Sequence, residues 1–152
     1  MENNKETIET LNDLILINND RIAGYERALK EIEEGNGDES LEAMFLEFVD
    51  QSRRFRNQLG AEIEVLGSDI PSGTSTGGKL HRTWLELKAS VSGHSPKSIL
   101  EECEFGEDAI QKTYESALEE KHLPGYIKEI LKDQESYLLE AHDEVKSLRD
   151  SA

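Results

Sequence analysis

Apolar residues recur at steps of three and four along four separate stretches of this chain, and that period limits its fold more than anything else in it. In the first stretch Ile8, Leu11, Ile15, Ile22, Tyr25, Leu29 and Ile32 mark one face, with Asn18 standing in the gap. The spacing predicts a long helix over about residues 5–34. Gly35-Asn36-Gly37-Asp38 stops it, with Asp38 or Ser40 placed to cap the next helix. Leu41, Phe45, Phe48, Ser52, Phe55, Leu59, Ile63 and Leu66 then trace a second helix over about 38–66. Ser95-Pro96 reads as an N-cap and first helical residue, opening a third helix over about 96–121 through Leu100, Cys103, Glu107, Ile110, Tyr114 and Ala117. After Leu123-Pro124-Gly125, a fourth runs over about 125–150 through Ile127, Leu131, Gln134, Leu138, Ala141, Val145 and Leu148. No stretch alternates with the period of two that a strand needs.

Residues 67–95 separate the second helix from the third. Gly67 to Gly78 is small, polar and glycine-rich, which reads as loop, and Leu80, Trp84, Leu87 and Val91 mark a short helix over about 79–91. Helices of about 25–30 residues run about 40–45 Å. Each carries a single apolar stripe, so the stripes must bury one another. Short links make two antiparallel hairpins, and the long segment joins hairpin to hairpin. The predicted architecture is all-α: a single domain over 1–152, an antiparallel four-helix bundle with one long crossover carrying a short extra helix, the ferritin-like arrangement. A weak internal repeat agrees with two similar hairpins. Tyr25-Glu26-Arg27-Ala28-Leu29 matches Tyr114-Glu115-Ser116-Ala117-Leu118, and Asp50-Gln51 matches Asp133-Gln134.

Composition narrows the function. The 152 residues hold 33 Asp and Glu against 17 Lys and Arg, a net charge of −16. Such a surface repels polyanions, which excludes sequence-independent nucleic-acid binding and disfavours anionic membranes. No run approaches the roughly 20 apolar residues of a membrane span. Met1 to Thr10 lacks the basic and apolar regions of a secretory signal, and the lone Cys103 excludes an internal disulfide, so the cytoplasm is the expected location.

The informative residues are polar ones lying on apolar stripes. Asn18 stands seven before Tyr25, and Glu107 seven before Tyr114. Counting back from the hairpin turns puts Asn18 level with Gln51 to Phe55 and Glu107 level with Gln134 to Leu138, so one cross-section is expected to hold Asn18, Gln51, Glu107 and Gln134, with Arg54 and Tyr137 a turn away. A ferritin-like di-metal centre takes one Glu from each of two helices and Glu-x-x-His from each of the other two. Here only Glu107-x6-Tyr114 keeps the pattern of the ferritin-like oxidases. Asn18 replaces the other carboxylate, and the Glu-x-x-His positions read Gln51-Ser52-Arg53-Arg54 and Gln134-Glu135-Ser136-Tyr137. Neutral amides are poor ligands for iron or manganese, and Arg54 opposes a cation. Glu107 therefore reads first as a buried acid, hydrogen-bonded or paired with Arg54, and second as a ligand in an altered site. His142, with Glu140 and Asp143 beside it, is the only histidine on a long helix near the bundle, and these acids read as a solvated face. His81, Arg82 and Trp84 read as anchors that pin the crossover to the bundle, His94 and His122 as exposed turn residues, and Cys103 as a small buried hydrophobe.

Several segments together resemble a bacterial family. They are Asn12-Asp13-Leu14-Ile15, Asn18-x-Asp20, Gly24-Tyr25, Gly77-x3-His81-Arg82-x-Trp84-x-x-Leu87-Lys88, and Ile99-Leu100-Glu101-Glu102-x-Glu104-x-Gly106-Glu107-Asp108 with Tyr114. The family is a domain of unknown function described as a ferritin-like four-helix bundle. The resemblance implies that fold in a bacterial cytoplasmic protein and brings no activity or catalytic residue. The functional expectation is a non-catalytic structural, interaction or stress-associated bundle, acting by self-association or with a protein partner and needing no cofactor. The competing reading is a metal-binding protein or oxidase that holds iron, manganese or zinc through Glu107 and nearby acids such as Asp20, Asp50 or Glu104.

Overall fold

The computed structural model describes residues 2–35, 37–73 and 95–152. The short helix expected over 79–91, with His81, Arg82, Trp84 and also His94, lies outside them.

Four helices account for the described chain: α1 (Glu2–Glu34), α2 (Glu39–Val65), α3 (Pro96–Leu118) and α4 (Gly125–Ser151). The capping signals act as local chemistry requires. Asp38 accepts from the Leu41 N–H at 3.1 Å to open α2, and Ser95 accepts from the Ser98 N–H at 3.2 Å to open α3, with Pro96 in the first turn. Gly37 takes φ +73°, the left-handed conformation that lets the chain reverse between α1 and α2. The α1 helix starts ahead of the apolar period, because its first residues, Glu2-Asn3-Asn4-Lys5, extend it without contributing to the stripe.

The helices form two hairpins, α1 with α2 and α3 with α4, which pack together through α1 against α3. The interior is built from two apolar clusters. One gathers Leu11, Leu14 and Ile15 with Leu59, Ile63, Ile127 and Leu131. The other gathers Tyr25 and Ile32 with Phe45, Phe48, Leu100, Cys103 and Val145. At the waist, where the two clusters approach, the core is polar: Asn18, Arg21, Ser52, Glu107 and Gln134 are all buried there. Burial of this kind costs several kcal/mol for each unpaired charge, so the charges of the waist must be paired; among its polar atoms Asn18 Oδ1 is buried without a hydrogen-bond partner.

Candidate functional site

Two hydrogen-bonded groups make up the waist. In the first, Glu107 on α3 receives Arg21 and Tyr25 from α1. The Arg21 Nε donates to Glu107 Oε1 at 2.6 Å, its Nη2 reaches Oε2 at 3.4 Å, and the Tyr25 hydroxyl donates to Oε1 at 2.8 Å. The rest of the guanidinium faces α2, where Nη1 donates to Gln51 Oε1 and Ser52 Oγ, both at 2.9 Å, and to the Phe48 carbonyl at 3.4 Å. The Tyr25 and Phe48 rings flank it at 5.4 and 5.2 Å from Cζ to centroid. Arg21 and Glu107 are both almost fully buried. In the second group, Asn18 Nδ2 donates to the Tyr114 hydroxyl at 2.9 Å, and that hydroxyl donates to Gln134 Oε1 at 2.7 Å. Gln134 Nε2 then donates to Gln58 Oε1 at 2.9 Å, tying α4 to α2.

The antiparallel crossing of α1 and α3 explains the pairing. Seven residues separate Asn18 from Tyr25, and seven separate Glu107 from Tyr114. With the helices running in opposite senses, Tyr25 meets Glu107 and Tyr114 meets Asn18, about 10 Å apart along the bundle. The internal repeat is thus a pseudo-two-fold relation. The shift that carries Asn18 onto Glu107 also carries Tyr25 onto Tyr114 and Arg21 onto Ile110, while the second hairpin strand carries Gln51 onto Gln134. Each group therefore holds one tyrosine, one residue at the repeated Asn18/Glu107 position and one at the repeated Gln51/Gln134 position, with Gln58 added to the second. The charged pair exists in only one of them: where the first has Arg21 and Glu107, the second has Ile110 and Asn18.

Electrostatics follow from this burial. Desolvation alone pushes the Arg21 guanidinium down, but the adjacent Glu107 charge and its hydrogen bond carry it above its ordinary value. Burial, and then the Glu107 charge, push both the Tyr25 phenol and the Cys103 thiol well up. Burial also raises Tyr114, against the hydrogen bond from Asn18 and the Arg21 charge. Every one of these groups is held in its neutral or paired form at neutral pH.

Of the residues expected in one polar cross-section, Asn18, Gln51, Glu107 and Gln134 do lie at the waist, but in two groups instead of one. Tyr25 and Tyr114 bridge them to their partners. Arg54 does not belong there. It is exposed and pairs with Asp50 at 2.7 Å on its own helix, because the buried stripe runs through Ser52 and Phe55 and a position two residues past Ser52 faces the opposite side. Tyr137 is 48 % exposed, its ring 6.4 Å from Phe55. His122 is not an open turn residue: its side chain is 15 % exposed, between Thr10, Glu6 and Glu120. The partner of Glu107 that sequence reasoning missed is Arg21. Its signal was the spacing Asn18, Arg21, Tyr25, steps of three and four that put a cation on the same stripe as two core polar groups.

A ferritin-like dinuclear centre does not fit this donor set. The two hydrogen-bonded groups hold one carboxylate, both of whose oxygens already accept from Arg21, together with four neutral amides, Asn18, Gln51, Gln58 and Gln134, and a permanent cation. Asp20, Glu31 and Glu102 are buried as well but are not counted in these two groups. The cluster among the described residues that presents three metal-type ligands lies elsewhere, on the outer face of the second hairpin, at Glu104, Asp108 and His142. No helix among the described residues is long and apolar enough to cross a membrane.

Among solved structures, a mutant of Dps1 from Mycobacterium smegmatis superposes with a TM-score of 0.83 over 97 % of both chains, at 16 % identity. The likeness is one of fold, and it makes the bundle ferritin-like. No curated protein matches the sequence. Residues 6–120, which span α1 to the end of α3 and so contain both halves of the waist except Gln134, match the family described as Domain of unknown function (DUF2383). With three-quarters of its length covered by that match, the chain belongs to the DUF2383 family.

Proposed function

We propose that this chain is a non-catalytic ferritin-like bundle whose polar waist fixes helix register and whose work is done at its surface, by self-association or with a protein partner. One observation carries the reading: a buried guanidinium, Arg21, occupies the interior and is paired with Glu107. An arginine is charged at any physiological pH and cannot be displaced as a bound ion can. An oxidase working through Glu107 would have to strip that carboxylate from Arg21 and Tyr25 and place a second cation against the guanidinium. The layer instead resembles the buried polar networks that specify one alignment of helices over others. Large apolar side chains left in solvent, Leu46, Tyr126 and Leu139 at 50 % or more, supply surface for association.

The test is metal analysis of untagged protein purified without chelator from cells supplied with iron, manganese and zinc, alongside light scattering. The proposal expects Glu107→Gln to leave any metal content unchanged and the wild type to run as an assembly larger than one chain or to retain a protein partner. Near-stoichiometric metal that vanishes in Glu107→Gln overturns it.

A further inference from the structure

We propose that the outer face of the α3–α4 hairpin carries a divalent-metal site, formed by Glu104, Asp108 and His142 and suited to a zinc-class cation. It is separate from the waist, and its success or failure does not depend on the role of Glu107. Glu104 and Asp108 stand four residues apart on α3, so their carboxylates share one face, and His142 reaches them from α4. One ligand atom from each lies within 4.8 Å of the others. Ligands around a tetrahedral ion with bonds of about 2.0–2.2 Å sit about 3.3–3.6 Å apart, so side-chain rotation of about an ångström closes the set. Two carboxylates and one imidazole are the donor types that zinc and its neighbours in the first row accept.

Two further observations point to a cation. The first is the setting of the imidazole. His142 Nε2 lies 2.5 Å from Asp108 Oδ1, and Nδ1 lies 3.2 Å from Asp143 Oδ1. A neutral imidazole has one N–H, so one of these contacts would set a lone pair against a carboxylate oxygen. Without an ion, a doubly protonated imidazolium bridges Asp108 and Asp143; a metal ion would replace the Nε2 proton as His142 and Asp108 move apart to ligand spacing. The Asp143 carboxylate on Nδ1 is the outer partner that commonly orients a metal-binding histidine. The second is an orphaned donor. Gln111 Nε2 is buried without a hydrogen-bond partner, and Gln111 lines the same open concavity of about 310 Å³ as Asp108 and His142. Water on the open coordination position of an ion held there is the acceptor such a donor lacks. Arg149 contacts Glu104 Oε2 and Lys112 lines the concavity, yet four carboxylates, Glu104, Asp108, Glu115 and Asp143, outnumber these two cations. A carboxylate also has a second oxygen to give.

The experiment is titration of the chelator-treated full-length chain with Co²⁺, followed by its visible absorption, with Zn²⁺ as competitor. The expected result is one saturable site per chain, displaced by Zn²⁺. His142→Ala and Asp108→Asn should each abolish it, Asp143→Asn should weaken it about 10–100-fold, and Glu107→Gln should leave it intact. Circular dichroism checks that each variant is folded, and Asp143→Asn, which touches no ligand atom directly, covers the case in which His142→Ala is not. Absence of saturable binding, or binding indifferent to both His142→Ala and Asp143→Asn, overturns the proposal. Binding lost only in Glu107→Gln also overturns it and, with it, the non-metal reading of the waist.

Discussion

Replacing the charged half of the waist by its neutral counterpart should cost far less than breaking it. The pseudo-two-fold relation supplies the design: Ile110 stands where Arg21 would repeat, and Asn18 where Glu107 would. Glu107→Asn alone leaves the Arg21 guanidinium, 2 % exposed, without its counter-charge, and Arg21→Ile alone leaves the Glu107 carboxylate, fully buried, with only the Tyr25 hydroxyl. Breaking a buried pair from one side typically costs about 3–5 kcal/mol. In a chain of this length each kcal/mol moves Tm by about 2–4 °C, so either single variant should fall by about 6–20 °C. The double variant removes both charges together. Its remaining losses are the hydrogen bonds to Gln51 and Ser52 and a partly filled volume, so it should return to within about 2 kcal/mol of wild type. The coupling energy from the cycle is then at least about 4 kcal/mol.

Urea unfolding followed by helix circular dichroism measures all four proteins. A pH arm sharpens it. In Arg21→Ile the carboxylate has lost its cation, so its folded-state pKa rises above the unfolded value. The penalty is fully present above the raised pKa and disappears as pH falls below the unfolded one, near 4.3. Relative to the double variant, Arg21→Ile should regain stability on acidification, and Glu107→Asn should not. A double variant destabilised by about the sum of the singles, with coupling below about 1 kcal/mol, would refute the claim that the two charges are there for each other.

The neutral half gives the converse test. Asn18→Asp places a carboxylate beside Tyr114 and Ile110 with no cation in its group, and should cost about 3 kcal/mol at neutral pH by denaturant unfolding, recovered on acidification. Asp13 has its carboxyl held up by burial and then by Glu120 and Glu9. A raised carboxylate favours the folded state only when protonated, so Asp13→Asn should raise Tm at pH 7, with the gain shrinking as pH falls through the carboxylate range. Cys103 is buried with its thiol pushed well up, so it should resist thiol-reactive disulfides in the native chain and react at once in denaturant. Arg54→Ala, at an exposed pair, should change stability by less than about 0.5 kcal/mol.

The fold was legible because burial writes itself on a helix as a period. Four long stripes and one long link leave little else to build, and the polar residues that interrupt those stripes, Asn18, Glu107 and Gln134, are the ones found at the waist. Counting from the turns gave their height along the bundle only to within about two turns, and not their direction around each helix. That is why Arg54 was assigned to a face it does not occupy, and why Glu107 was set level with Gln134 when it bonds to Arg21 and Tyr25. Arg21 escaped notice because its neighbour Ile22 already filled the stripe, and an arginine at a stripe's edge ordinarily snorkels to solvent. The Glu104 and Asp108 spacing was visible in α3, but their third partner sits on α4 at a distance no local pattern encodes.

Charge neutrality explains why one acid suffices beside Arg21 where a dinuclear centre would need several. A carboxylate in a core needs a cation, and the cation can be exchangeable or built in. An exchangeable ion ties the fold to metal supply and demands several anionic ligands to hold it. A built-in guanidinium needs only one acid, plus acceptors for its remaining N–H groups, which Gln51, Ser52 and the Phe48 carbonyl supply. Within the two groups Arg21 neutralises Glu107, and Asn18, Gln51 and Gln134 fill the neighbouring polar positions as neutral amides. A built-in pair of this kind orders the helices without an exchangeable ion, whereas Asp108 and His142 meet across two helices on a face that solvent reaches.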